Sequence, residues 1–223
     1  MDDRLIRAQT ALYEKDGKTA LQLTDEILES DEHNSQAWFL AMQCFQFLYP
    51  IDGYDAENEL TCARYAIRFA APKEKYRMKK QVYLFFLEKI LTVLQRDADV
   101  LADGKELLGF YQRTVYFDAA GAAEKTRAHD ESVMSAVQKS FAYCEALFDF
   151  IPDSAIRASR ELSNKATEVA QAWKRTYGFV AMRVGLYHLE LTQEQISGAK
   201  DRYARYLRAV KNGEEILKET VFL

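Results

Sequence analysis

Proline and glycine are scarce. The 223 residues hold three prolines and nine glycines, against average frequencies of roughly 5% and 7%. Few positions therefore interrupt a helix, and an all-β or loop-rich fold is excluded. Cysteine is scarce too: Cys44, Cys62 and Cys144 are odd in number and widely spaced. That excludes a disulfide framework and predicts buried free thiols in a reducing compartment. No apolar run reaches the ~18 residues of a membrane span. The opening M-D-D-R-L-I-R lacks the basic and apolar regions of a secretory signal. The expected location is cytoplasmic. Charge of one sign does not dominate, with 34 acidic and 30 basic side chains and a net charge of −4, so no nucleic-acid partner and no membrane are expected.

Catalytic signatures are missing as well. H-E-x-x-H, C-x-x-C, G-x-S-x-G and G-x-G-x-x-G do not occur. Gly104 and Gly109 have the spacing of a P-loop, but Phe110-Tyr111 follow where lysine and a hydroxyl residue must hold phosphate and magnesium. The residues three before His33, His129 and His188 are Ser30, Thr126 and Gly185, so the Glu-x-x-His of a di-iron bundle is absent. Asp52, Asp55, Glu57 and Glu59 lack the ligand order of a calcium loop. They read as a solvated helix start. The chain is expected to be no enzyme, with no cofactor and no metal.

What is present is helical periodicity. Apolar residues are 48% of the chain, with thirteen tyrosines and thirteen phenylalanines as packing anchors. Leu5, Ala8, Ala11 and Leu12 recur at three and four, predicting a helix from Asp3 to Lys15. Asp16 caps the next and Gly17 supplies the conformational freedom of the turn. That second helix carries Ala20, Leu23, Ile27 and Leu28 on one face. Asn34 or Ser35 caps a third, with Trp38, Met42, Phe45 and Leu48 as its stripe. After the Tyr49–Gly53 loop, a fourth runs from Ala56 to Ala70.

These residues resemble the tetratricopeptide repeat, a helical hairpin that recurs every ~34 residues. Ala8 and Ala20 fall where that family wants small residues, Ile27-Leu28 at the end of the second helix, and Trp38 and Phe45 at the aromatic positions of the next repeat. Glu32 stands where the family usually has proline, and Met42 where it has a small residue. The likeness spans residues 4–72. It implies an all-α fold of stacked antiparallel hairpins forming a solenoid, and a concave groove that grips a peptide or protein partner. On that reading the outward residues of the odd helices line the groove: Arg4 and Arg7, Phe39 and Gln43, Lys80 and Tyr83. Basic and aromatic groups together suit an extended peptide with acidic groups. The plainer reading of the same residues is solvated surface.

Beyond Pro72 the pattern predicts a helix to Arg96, apolar on more than one side, then a cap at Asp97–Asp99 and another helix to Phe117. Asp118 to Gly121 is the expected boundary, with hairpins over 1–118 and a long-helix bundle over 119–223, packed as one unit. In the second part Met134, Val137, Phe141, Cys144, Phe148 and Ile151 make one stripe. Pro152 breaks it, and a continuous helix from Asp153 or Ser154 carries Leu162, Ala166, Val169, Trp173 and on to Leu191. Thr192 and Gln195 form a capping box for a last helix bearing Arg202, Arg205 and Arg208. Lys73, Lys75, Arg77, Lys79 and Lys80 form a basic cluster, read either as a surface for an acidic partner or RNA or as a solvated helix start. The function so indicated is a non-catalytic interaction module or scaffold. The alternative is a helical bundle that binds a small ligand or regulates by self-association as a homodimer.

Overall fold

The computed structural model describes residues 3–48, 56–114, 135–137 and 139–187. Among them every regular element is a helix: α1 (Asp3–Tyr13), α2 (Gly17–Ser30), α3 (Ser35–Leu48), α4 (Glu57–Phe69), α5 (Lys75–Thr114), α6 (139–149, with 135–137 also helical), α7 (Asp153–Ala158) and α8 (Arg160–Tyr187). The expected Tyr49–Gly53 loop, the boundary at 118/119, Met134 and everything from His188 on lie outside the described residues. None of the described helices is long and apolar enough to cross a membrane.

Contacts divide the chain into two compact units. One runs to Phe86 and includes Glu145–Ile151; the other takes Leu87–Cys144 and the chain from Pro152 on.

In the first unit α1 packs on α2, α2 on α3, α3 on α4, and α1 also touches α3. Leu5, Ala8, Leu23, Ile27, Ala37 and Leu40 form one buried cluster, while Ala11, Ala20 and Cys44 form the next. Small residues at the crossing points let the backbones approach. The turns follow local chemistry. Asp16 Oδ1 accepts the Thr19 amide at 3.0 Å and starts α2. Asn34 Oδ1 accepts the Ala37 amide at 3.1 Å and starts α3. The two hydrogen bonds to Thr19, side-chain first and backbone second, hold the Asp16 carboxyl below its ordinary value. Its contribution to the cap is therefore present above the ordinary carboxylate range and is lost as pH falls through the folded value.

The positive-φ position is Lys15 (φ 64°), not Gly17. The Lys15 amide bonds Leu12 O at 3.0 Å and the Asp16 amide bonds Ala11 O at 2.9 Å. That is the paired closure of a helix end whose left-handed residue is usually glycine. Gly17 is instead a buried residue of α2. Lys15→Gly is expected to stabilise the fold by about 0.5–1 kcal/mol, because glycine carries no Cβ penalty there. Urea unfolding of the two proteins measures it, and an unchanged or lower midpoint would contradict it.

The buried side of α3 is shifted from the expected stripe, of which Met42 is buried as expected and the Leu48 side chain lies outside the described residues. Ala37, Leu40, Ala41, Met42 and Cys44 are buried, while Trp38 and Phe45 are half-buried. Trp38 donates from Nε1 to Glu32 O at 2.8 Å and lies 4.8 Å from the Tyr65 ring. Small residues (Ala37, Ala41, Cys44) share the core side of α3 with Leu40 and Met42. That helix has neighbours on more than one side, and the Trp38 ring spans the edge between α3 and α4. Within the same unit, the Phe150 ring meets Phe86 edge-on at 5.5 Å and Tyr83 at 6.2 Å.

In the second unit α5 shows no break at Asp97–Asp99 and none at the glycines. Glycine inside a helix costs only about 1 kcal/mol against alanine, too little to end one that is packed. Asp97 does not cap. It is buried in mid-helix with Arg96 Nη2 at 2.7 Å. The reverse holds near Pro152: the expected single helix breaks at Ser159 (φ −137°, ψ 117°), which separates α7 from α8. Of the expected stripe along and beside α6, Val137, Phe141 and Cys144 are buried in this unit and Phe148 and Ile151 are buried in the first. Phe141 packs on the fully buried Trp173 with centroids 4.1 Å apart. Thr176 Oγ1 donates to Leu94 O at 3.0 Å, joining α8 to α5.

Candidate binding surface

The six groove residues expected from sequence do not share one environment. Arg4 is turned toward α2: Nη1 donates to Glu26 O at 3.1 Å and Nη2 to Ser30 Oγ at 3.2 Å. A guanidinium bonded to the Glu26 carbonyl and the Ser30 hydroxyl places a cation near the end of α2, where it suits the dipole. Arg7 is exposed and Lys80 half-buried. Tyr83 does not face outward; it is buried against Phe150, because at this point α5 is covered on more than one side. Burial accordingly pushes its phenol upward. Phe39 and Gln43, four residues apart on α3, are half-buried and project opposite to Ala37, Ala41 and Cys44.

The bonds of Arg4 orient α1. They fix which side meets α2, and the opposite side then carries Ile6, Gln9 and Tyr13 at i, i+3 and i+7. Ile6 is 46% exposed and Tyr13 89%. Position 13 lies half a turn round the helix from position 4 at 3.6 residues per turn. On the neighbouring α3 the outward residues are Gln36, Phe39, Gln43, Gln46 and Phe47. Charged residues make up 29% of the chain, yet α3 (S-Q-A-W-F-L-A-M-Q-C-F-Q-F-L) has none. Its water-facing side is therefore glutamine and phenylalanine.

Each glutamine amide both donates and accepts, so such a side can pair with backbone groups of another chain. Without charge it exerts no long-range steering. In the sequence Ile6 and Tyr13 are distinguished as apolar residues off the Leu5–Ala8–Ala11 stripe.

In the second unit a cleft of about 290 Å³ lies between α5 and α8. Leu91, Leu94, Ala98 and Ala172 contribute apolar surface, and Gln95, Glu168, Gln171 and Arg175 contribute polar groups. Lys165 Nζ bonds Glu168 Oε2 at 2.9 Å, and that bond raises the lysine pKa.

The cysteines are free and buried. Burial pushes both the Cys44 and Cys62 thiols up to about 12, with Asp25 and Cys62 adding to the first and Glu59 and Asp25 to the second. Their thiolate fraction at pH 8 is correspondingly small. Native Cys44 and Cys62 are expected to react with Ellman's reagent on the order of a thousandfold slower than in urea. Fast reaction of either in the native protein would show an accessible thiolate.

Among the described residues no group of three His, Cys, Asp or Glu side chains is placed to hold a metal. No protein-family model, curated protein or solved structure matches the chain.

Proposed function

We propose that the chain is a non-catalytic interaction module, built on tetratricopeptide-like hairpins, that recognises a partner protein through the uncharged outer side of α1 and α3. The observation that carries this reading is the charge-free helix α3 beside the exposed Ile6 and Tyr13. The order of packing, α1 on α2 on α3 on α4 with α1 touching α3, agrees with serial stacking of hairpins. The ligand chemistry shifts from the sequence expectation. Arg4 is engaged with α2, so an acidic peptide loses one of its two arginines. An apolar segment with free backbone amides fits Ile6, Tyr13, Phe39 and Gln43 better.

Affinity capture with Ile6→Glu/Phe39→Glu, beside the original chain and the control Arg7→Glu, tests this. Loss of a partner from the double variant and its retention by the control supports the reading. Identical recovery of every partner by all three removes it. The cleft between α5 and α8 favours a second reading, a small amphipathic ligand held in the bundle. Its volume of about 290 Å³ lies at the floor of the ~300–1,000 Å³ typical of ligand pockets, and the first reading is preferred.

A further inference from the structure

Two helix ends in the first unit carry clustered charge that opposes the dipole of their own helix, although Arg4 of α1 bonds near the end of α2 and Glu74 directly precedes α5. The first turn of α5 holds Lys75 and Arg77 and no acidic residue, with Lys73 before it and Lys79 after it. The end of α2 has no basic residue in its last turn; Asp25, Glu26 and Glu29 lead into Asp31 and Glu32. Cations at a helix start and anions at a helix end weaken the helix. All of these side chains are exposed. Arg77 has Glu74 at 3.7 Å; among the described residues Lys73, Lys75 and Lys79 make no ion pair, nor do the carboxylates of Glu26 and Glu29. The two charged edges do not neutralise one another.

Both edges lie at one end of this unit. His33, in the turn after α2, packs edge-on against Phe69 at the end of α4, with centroids 4.4 Å apart. A short connection over residues 70–74 then leads into α5. The end surface thus has an acidic side and a basic side. His33 is close to Phe69, and Tyr76, 66% exposed, stands among the lysines. A surface with two complementary halves is complementary to itself after a twofold rotation.

We propose that this end of the first unit is a self-association surface. A second copy docks by a twofold axis that sets Asp25, Glu26, Glu29 and Glu32 of one chain against Lys73, Lys75, Arg77 and Lys79 of the other. The basic edge alone would fit any polyanion. The acidic edge beside it and the net charge of −4 favour a second copy over nucleic acid or an anionic membrane. The inference stands independently of the α1–α3 surface, whose side chains it does not use.

Sedimentation velocity of the full chain across a concentration series tests it, at about 50 mM and about 500 mM salt, between which screening shortens the Debye length severalfold. The expected result is a dimer whose dissociation constant rises about tenfold or more with salt. Lys75→Glu/Lys79→Glu and Glu26→Lys/Glu29→Lys are each expected to be monomeric, and an equimolar mixture of the two to restore dimer. Both reversals complement the dipoles, so neither variant is expected to lose its fold, which circular dichroism checks. A monomer at every concentration, or a dimer that both reversals leave intact, overturns the proposal. So does a monomeric chain that binds single-stranded RNA or phosphatidylserine vesicles through the same lysines.

Discussion

Trp173→Ala is expected to lower the unfolding free energy by about 3–5 kcal/mol, the range for deleting a large ring from a core. Trp173 is fully buried on α8 and packs on Phe141 of α6 at 4.1 Å between centroids. The neighbours that would have to close the hole are held by their own bonds. On one side Thr176 Oγ1 ties α8 to the Leu94 carbonyl of α5, and on the other Ser140 Oγ is fixed by Arg96 Nη2 at 2.9 Å. Helices pinned in this way relax little, so the cavity term is added to the lost transfer term. A chain of this size has only about 5–15 kcal/mol in total, so the variant is expected to be marginal at 37 °C. Equilibrium urea unfolding followed by circular dichroism measures the loss. Trp173→Phe, which keeps a ring against Phe141, is expected to lose less than half as much. A loss under about 1 kcal/mol for the alanine variant would show that the site collapses freely, against the picture of a packed three-way junction.

The same residues show where sequence reading succeeds and where it stops. Asp16 and Asn34 were legible as caps because a cap is a local event: an oxygen and an amide three residues on. The stripe through Val137, Phe141, Cys144, Phe148 and Ile151 was legible because one face of α6 is buried. Asp97 misled because an aspartate before a helical pattern resembles a cap. Its partner Arg96 is its neighbour in the chain, but the burial of Asp97 and the bond from Arg96 to Ser140 become apparent only once α5 and α6 are packed. Arg4 misled for a related reason, since no periodicity shows that a backbone carbonyl at Glu26 will lie beside it. On α3 the period was right and the phase wrong. The aromatic rings of Trp38 and Phe45 suggest the core side, whereas Ala37, Leu40, Ala41, Met42 and Cys44 occupy it. The interaction surface suffered most, because outward positions were inferred as whatever the stripes left over. On α1 that choice fell on arginines rather than on Ile6 and Tyr13.

Arg96→Met is expected to cost about 2–3 kcal/mol. The Asp97 side chain is 3% exposed, and Arg96 Nε and Nη2 both bond its Oδ1, at 3.1 and 2.7 Å. Removing the cation from a buried pair costs about 3–5 kcal/mol, since a carboxylate is left in low dielectric without it. The Arg96 side chain is 39% exposed, and solvent screening moves the expectation below that range. The charge, not the contact, is predicted to carry the effect. Arg96→Met/Asp97→Leu removes both ions and is therefore expected to return to within about 1 kcal/mol of the original. Ser140 loses its donor in either variant but keeps its own bond to the Ala136 carbonyl at 3.1 Å, so it contributes equally to both. The exposed pair Arg64–Glu57 is a control of similar length, 2.8 Å, with side chains 53% and 61% exposed. Arg64→Met is expected to change stability by no more than about 0.5 kcal/mol, as for ion pairs in water. If the double variant at 96 and 97 proves no better than Arg96→Met alone, packing of the arginine stem rather than the loss of the cation beside Asp97 explains the effect. Asp97 would then be a buried acid that α5 tolerates without its neighbour.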